Sequence, residues 1–202
     1  MPGKLTSDEV TSSALTIKSE TDRITGIVQR LLDFARQRPP EQQPTDLAGL
    51  IQRTLQLLES FAAKKRVELV CQHPESTVVA AVDSGQMQQV ITNVVMNAIQ
   101  AMDQPGTVSV VLAVTDAADQ PEPHPPGWAC ISVRDEGPGV APDVREHIFE
   151  PFFTTKDVGQ GTGLGLSIAY GIVQEHGGRI ELANEPDRGA RFDIYIPMEK
   201  PQ

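Results

Sequence analysis

The sequence has no run of apolar residues approaching the roughly 18 that a membrane-spanning helix needs. Its start, Met1-Pro2-Gly3-Lys4, lacks the apolar core of a signal peptide. Together these absences predict a cytosolic chain with no membrane segment, although a parent protein can still be membrane-anchored through other segments. Positive charge is also scarce. Lys and Arg number 17 against 27 Asp and Glu, a formal net charge of −10. That field excludes nucleic acid as a partner bound through overall charge. A smaller polyanion can bind only where backbone amides, local cations and a metal ion offset it. The two cysteines, Cys71 and Cys130, are far apart, which excludes a disulfide framework and any Cys-spaced metal site. They read as ordinary strand-packing residues. What remains is a chain of 202 residues, 39% hydrophobic and 22% charged, enough for one packed domain with an appendage.

Residues 1–14 are polar and read as a flexible lead-in. Over residues 15–38 the apolar positions Ile17, Ile24, Ile27, Val28, Leu31, Leu32, Phe34 and Ala35 recur at helical spacing. This predicts a long helix with the broad stripe used in bundles, able to pair two chains through residues 15–36. Pro39, Pro40 and Pro44 break it, so residues 39–45 read as a linker to a unit at 46–198. A terminal helix lying on its own domain is the other reading.

In that unit Asp46 caps a helix with Leu47, Leu50, Ile51, Leu55, Leu58 and Phe61 on one face. Strands are predicted at Val67–Gln72 and Val78–Val82, then a helix at Ser84–Met102 with Asp83 and Gln86 at capping-box spacing. Strands Thr107–Val114 and Trp128–Arg134 flank a proline-rich hairpin loop at 120–127. A glycine-rich region, a helix Leu164–His176 and strands Arg179–Ala183 and Ala190–Pro197 complete the chain. The mixed order predicts an α/β sandwich with helices on one face of the sheet.

The helix at Ser84–Met102 contains no charged residue. Beside its core stripe runs a second one of amides: Gln86, Gln89, Asn93, Asn97 and Gln100. An uncharged face is either covered or functional, and an Asn carbonyl oxygen suits magnesium. A polar surface that happens to lack charge fits this helix as well or better. Asp135-Glu136-Gly137-Pro138-Gly139 follows a strand. A buried Asp135 can accept the exocyclic amine of adenine, with Gly137 and Gly139 allowing positive φ and close approach of a flat ligand; a plain turn is the alternative. Gly161-Thr162-Gly163-Leu164-Gly165-Leu166 runs into a helix, an arrangement that binds anions through free amides and the helix dipole. It lacks the Gly-Lys-Ser/Thr of a Walker loop. Between them Phe149, Phe152 and Phe153 crowd half of the chain's 6 phenylalanines into a loop. They read as an anchor for a mobile lid, with Lys156 placed as a cation near phosphates.

In this order the segments resemble the catalytic domain of sensor histidine kinases, in the gyrase, chaperone, histidine kinase and mismatch-repair ATPase superfamily. The asparagine box is Asn93 and Asn97, the first glycine box Asp135, Gly137 and Gly139, the phenylalanine box Phe149, Phe152 and Phe153, and the second glycine box Gly161, Gly163 and Gly165. Gly189-Ala190-Arg191-Phe192 matches the closing strand, and the wording around Asn97 and Phe152 is similar to the nitrogen-sensing subclass. The resemblance implies an α+β, two-layer Bergerat-type sandwich with a mixed sheet, preceded by a long N-terminal helix. It implies ATP and Mg2+ as cofactors. Asn93, Asn97, Asp135, Gly137, Gly139, Lys156, Gly161, Thr162, Gly163, Leu164, Gly165 and Leu166 would bind nucleotide. Asn97 would hold the metal, and Asn93 and Lys156 would serve catalysis.

Residues 15–36 are similar to the second helix of the family's dimerisation and phosphotransfer hairpin. The first helix, with its acceptor histidine, is missing, and His73, His124, His147 and His176 lack the motif. The expectation is a piece of a longer kinase that transfers the γ-phosphoryl group to a histidine elsewhere, for relay to a response regulator receiver domain. ATP-hydrolysing relatives carry Glu one turn before the metal-binding Asn; Asn93 stands there instead and cannot act as a general base. The family's usual Thr in the closing strand is Ala190, a loss of about 1 kcal/mol for one neutral hydrogen bond. A serine-directed kinase of the same fold and a noncatalytic nucleotide-dependent binding module are the alternatives.

Overall fold

The computed structural model describes residues 10–18, 21, 25, 39–115, 127–156, 162–184 and 189–198. The chain divides into two compact units, Met1–Arg38 and Pro39–Gln202. In the first, residues 10–18 are helical, as are Thr21 and Thr25; we label this helix α1. Residues 10–14, expected in a flexible lead-in, are thus part of a helix. Leu15 and Ile17 are exposed. The rest of the predicted stripe, from Ile24 to Ala35, lies outside the described residues, as does most of the proline-rich loop at 120–127.

The second unit is a two-layer α+β sandwich. Its elements are β1 (Gln43–Asp46), α2 (Leu47–Lys64), β2 (Val67–Gln72), β3 (Val79–Val82), α3 (Ser84–Ala101), β4 (Gly106–Thr115), β5 (Trp128–Arg134), α4 (Gly165–Glu175), β6 (Arg179–Asn184) and β7 (Ala190–Pro197). Five strands form a mixed sheet in the order β2-β4-β5-β7-β6, with only β2 and β4 parallel. Cross-strand rows show why one face is covered. Val110, Val133 and Phe192 align, as do Leu112, Ile131, Ile194 and Ile180, and all are buried. The alternate row carries Ser132, Asp193 and Glu181. That period-2 alternation places the helices on the apolar side.

Part of the predicted linker is structural. Gln43–Asp46 pairs antiparallel with β3, from Gln43 opposite Val82 to Asp46 opposite Val79. Pro44 belongs to this two-stranded ribbon, where strands tolerate a missing N–H. The expected cap at Asp46 is present, its carboxylate accepting from the backbone N–H of Ala48 and Gly49.

The predicted capping box is only half made. Asp83 accepts from the N–H groups of Gly85 and Gln86. Its own N–H, which the box would give to Gln86, donates instead to His176 Nε2 at 3.0 Å. His176 is buried, and its Nδ1 lies 2.8 Å from the Ile172 carbonyl. A carbonyl only accepts, so Nδ1 carries the proton and Nε2 is the acceptor. His176 thus joins the C-terminal end of α4 to the start of α3, two helices that pack side by side. Replacing it with Ala orphans the Asp83 N–H. We expect His176→Ala to cost about 1–3 kcal/mol in urea unfolding without a change in slope.

Candidate functional site

Asp135 is the residue after β5, and pairing of β5 with β7 delivers it beside Ala190. It is 2% exposed. Oδ1 accepts from the N–H of Gly137 at 2.9 Å and of Ala190 at 3.2 Å. The Asp135 N–H donates to the Ala190 carbonyl at 3.0 Å. Burial pushes the Asp135 carboxyl above its ordinary range, while the two N–H donors pull it back.

The glycines around Asp135 do different work. Only Gly139 of the first glycine box has positive φ, at 75°. Gly137 is required for closeness instead: a Cβ there would lie 3.0 Å from the Ala101 carbonyl and 2.9 Å from Asp135 Oδ1. The turn therefore rests on the last residue of α3. Gly189, with φ 83°, had no assigned role in the sequence. A Cβ at Gly189 would strike the carbonyl oxygen and Oδ1 of Asp135.

The uncharged face of α3 continues the site. Lys156 Nζ donates to Gln100 Oε1 at 2.7 Å and to Asn97 Oδ1 at 3.3 Å. Burial lowers the Lys156 pKa, and the nearby Lys65 adds to the effect. One turn earlier, Asn93 meets α4: a Cβ on Gly165 would lie 3.6 Å from Asn93 Oδ1. The Asn93 Nδ2 is buried and has no hydrogen-bond partner among the described residues. The N-terminus of α4 has no side-chain cap and no acidic residue in its first turn, so its leading amides keep donor capacity.

The phenylalanine box is fastened to the second glycine box through backbone. Phe152 N–H donates to the Gly163 carbonyl at 3.0 Å, and both residues have positive φ. A Cβ on Gly163 would strike the Phe152 backbone. The three rings do not act as one anchor. Phe149 packs edge-on to Phe192 and beside Tyr170, and Phe153 lies near His147, whereas Phe152 is 61% exposed. Gly161 lies outside the described residues; Thr162, Leu164 and Leu166 follow the path into α4.

A chain of contacts therefore runs from Ala190 through Asp135 and Gly137 to the end of α3, and along α3 to Lys156 and Gly165. Gly137 and Gly165 thus meet the asparagine-box helix α3, whereas the phenylalanine box reaches the second glycine box through Phe152 and Gly163.

The model of the Histidine kinase-, DNA gyrase B-, and HSP90-like ATPase family matches residues 82–200, and the chain belongs to that family. The chain is 35% identical over 196 residues to the sensor kinase CckA of Brucella abortus (strain 2308), covering 95% of this chain and 21% of CckA. Full-length ShkA in complex with AMPPNP superposes with a TM-score of 0.77 and 29% identity, over 96% of this chain and 40% of ShkA. Histidine kinase ThkA in complex with the response regulator protein TrrA gives a TM-score of 0.74 and 26% identity, over 96% of this chain and 53% of ThkA. The chain spans about a fifth of CckA's length.

Gly189 tests how the site is built. Alanine there adds left-handed strain of about 1–3 kcal/mol and a clash with Asp135. We expect Gly189→Ala to lower the thermal midpoint by several degrees, read by calorimetry, while Gly127→Ala, which carries the positive-φ strain but has no described atom within 4 Å of an added Cβ, shifts it less.

Proposed function

We propose that this domain is the ATP-binding core of a two-component histidine kinase, with adenine held at Asp135 and the phosphates between α3 and the start of α4. One observation carries the reading. Both hydrogen bonds to Asp135 end on Oδ1, and no described residue bonds Oδ2. A buried carboxylate with one oxygen fixed and the other uncommitted fits a ligand amine. Adenine offers that amine, whereas guanine puts a carbonyl there and would leave acceptor facing acceptor.

The phosphates need donors and cations in an acidic protein. The leading amides of α4 at Gly163–Leu166, the orphan Asn93 Nδ2 and Lys156 supply them. Magnesium fits the same face, because Asn97 Oδ1 is a hard neutral oxygen already turned toward a cation. Bound there, the ion would neutralise phosphate charge. Asn97 would hold it, Lys156 would steady the terminal phosphates, and Asn93 would orient them without abstracting a proton. With no carboxylate on α3 to activate water, transfer to a positioned nucleophile is favoured over hydrolysis. The nucleophile would be a histidine imidazole on a helix outside this domain. The response-regulator complex of ThkA supports a receiver domain as the next acceptor.

Asp135→Asn separates function from stability. Because burial raises the Asp135 pKa in the folded state, its ionised form opposes folding. This contribution grows as pH rises from the ordinary carboxylate range through the raised value. Asparagine keeps an acceptor for both N–H groups and never ionises. We expect Asp135→Asn to be at least as stable as wild type in urea at neutral pH, yet to bind MgATP roughly tenfold more weakly or worse in calorimetry. Unchanged affinity would overturn the adenine assignment.

The reaction is tested in trans. Labelled ATP, this chain and a second polypeptide carrying an acceptor-histidine helix should yield acid-labile label on that histidine. Label on serine, or nucleotide binding with no transfer, would replace this reading with a serine-directed kinase or a binding module.

A further inference from the structure

We propose that Gln100 is a positioning residue for Lys156, holding its ammonium toward the nucleotide's phosphates; this rests on the nucleotide reading above. Gln100 is the nearer of the two acceptors on Lys156, at 2.7 Å against 3.3 Å for Asn97. The two sit three residues apart on one face of α3, with Val94, Val95, Ala98 and Ile99 buried behind them. Gln100 therefore stands on a packed helix, while Lys156 lies on a loop.

The chemistry of the partner matters as much as its distance. Lys156 is half-buried and near Lys65, so its charge gains from an acceptor. A carboxylate at position 100 would form an ion pair and neutralise the charge a phosphate needs. An amide oxygen orients the ammonium and leaves it positive. Gln100 becomes the more important partner once a metal takes Asn97 Oδ1, because two cations on one carbonyl oxygen repel each other. The uncharged character of α3 then has a reason at position 100 as well as at positions 93 and 97.

The test is a double-mutant cycle on the full chain, reading the ratio of the dissociation constants for AMP and ATP in magnesium. Gln100→Met keeps the side chain's length and removes the acceptor. It should lower that ratio roughly fivefold in wild type and leave it unchanged in Lys156→Met. Gln100→Glu should also lower it, by tying up the ammonium. Equal loss for AMP and ATP would mark Gln100 as merely structural, and equal effects in both backgrounds would show that it does not act through Lys156; either result overturns the proposal. If adenine nucleotides bind and Asp135→Asn weakens them while the Gln100 variants leave the ratio alone, this inference fails and the site reading stands. If no adenine nucleotide binds the wild type, both fall.

Discussion

The site depends on a carboxylate buried with only half of its bonding used. Asp135 is almost sealed from solvent, and burying a charge is costly unless hydrogen bonds offset it. Two backbone N–H groups do so, both at Oδ1. Each donor comes from a different place in the chain. Gly137 turns back from the end of β5, and Ala190 opens β7. The carboxylate is in position only if β5 and β7 are in register, if Gly189 admits the backbone, and if the turn can rest on Ala101. Sheet, glycine and helix thus serve one oxygen atom, and no described residue bonds the opposite one.

An acidic chain that receives a polyanion needs a local reversal of field. On the proposed reading it comes from three sources with different ranges. The α4 N-terminus contributes a partial positive charge that fades within a turn. Lys156 contributes a full charge, made more effective by partial burial and by neutral acceptors. The Asn93 amide contributes a buried Nδ2 dipole that no described residue pairs. An unpaired buried donor has a cost of about 1–3 kcal/mol, so it weakens the domain alone and favours whatever supplies an acceptor.

Much of this was legible in the sequence because it rests on local patterns. Helical spacing located α2 and α3, and the strands expected at Trp128–Arg134 and Ala190–Pro197 coincide with β5 and β7. The boxes were readable because glycines and an uncharged helix depart from what a solvated surface uses. Contacts between distant segments were not readable. The half-made capping box is one example: spacing pointed to Gln86, but His176 from another helix took the Asp83 N–H. The strand at Gln43–Asp46 is another, hidden because its prolines argue for a linker. The phenylalanines looked equivalent, yet only packing against β7 and α4 distinguishes Phe149 from the exposed Phe152. Gly189 and Gln100 lacked an assigned role for the same reason, since their significance lies in what crosses the fold to meet them.

The amide face of α3 links binding to the choice of chemistry. A glutamate at position 93 would provide a base, but it would also add negative charge beside the phosphates and beside Lys156. Replacing every carboxylate on this helix with amides removes both effects together. On the proposed reading, the same lack of carboxylates that denies water a base on α3 would also leave the lysine's charge unspent for the phosphates. A domain built this way would hold a nucleotide without consuming it, and its output would depend on a nucleophile delivered from another helix. Phosphoryl transfer then becomes a matter of when that helix arrives, which is the property a signalling domain requires.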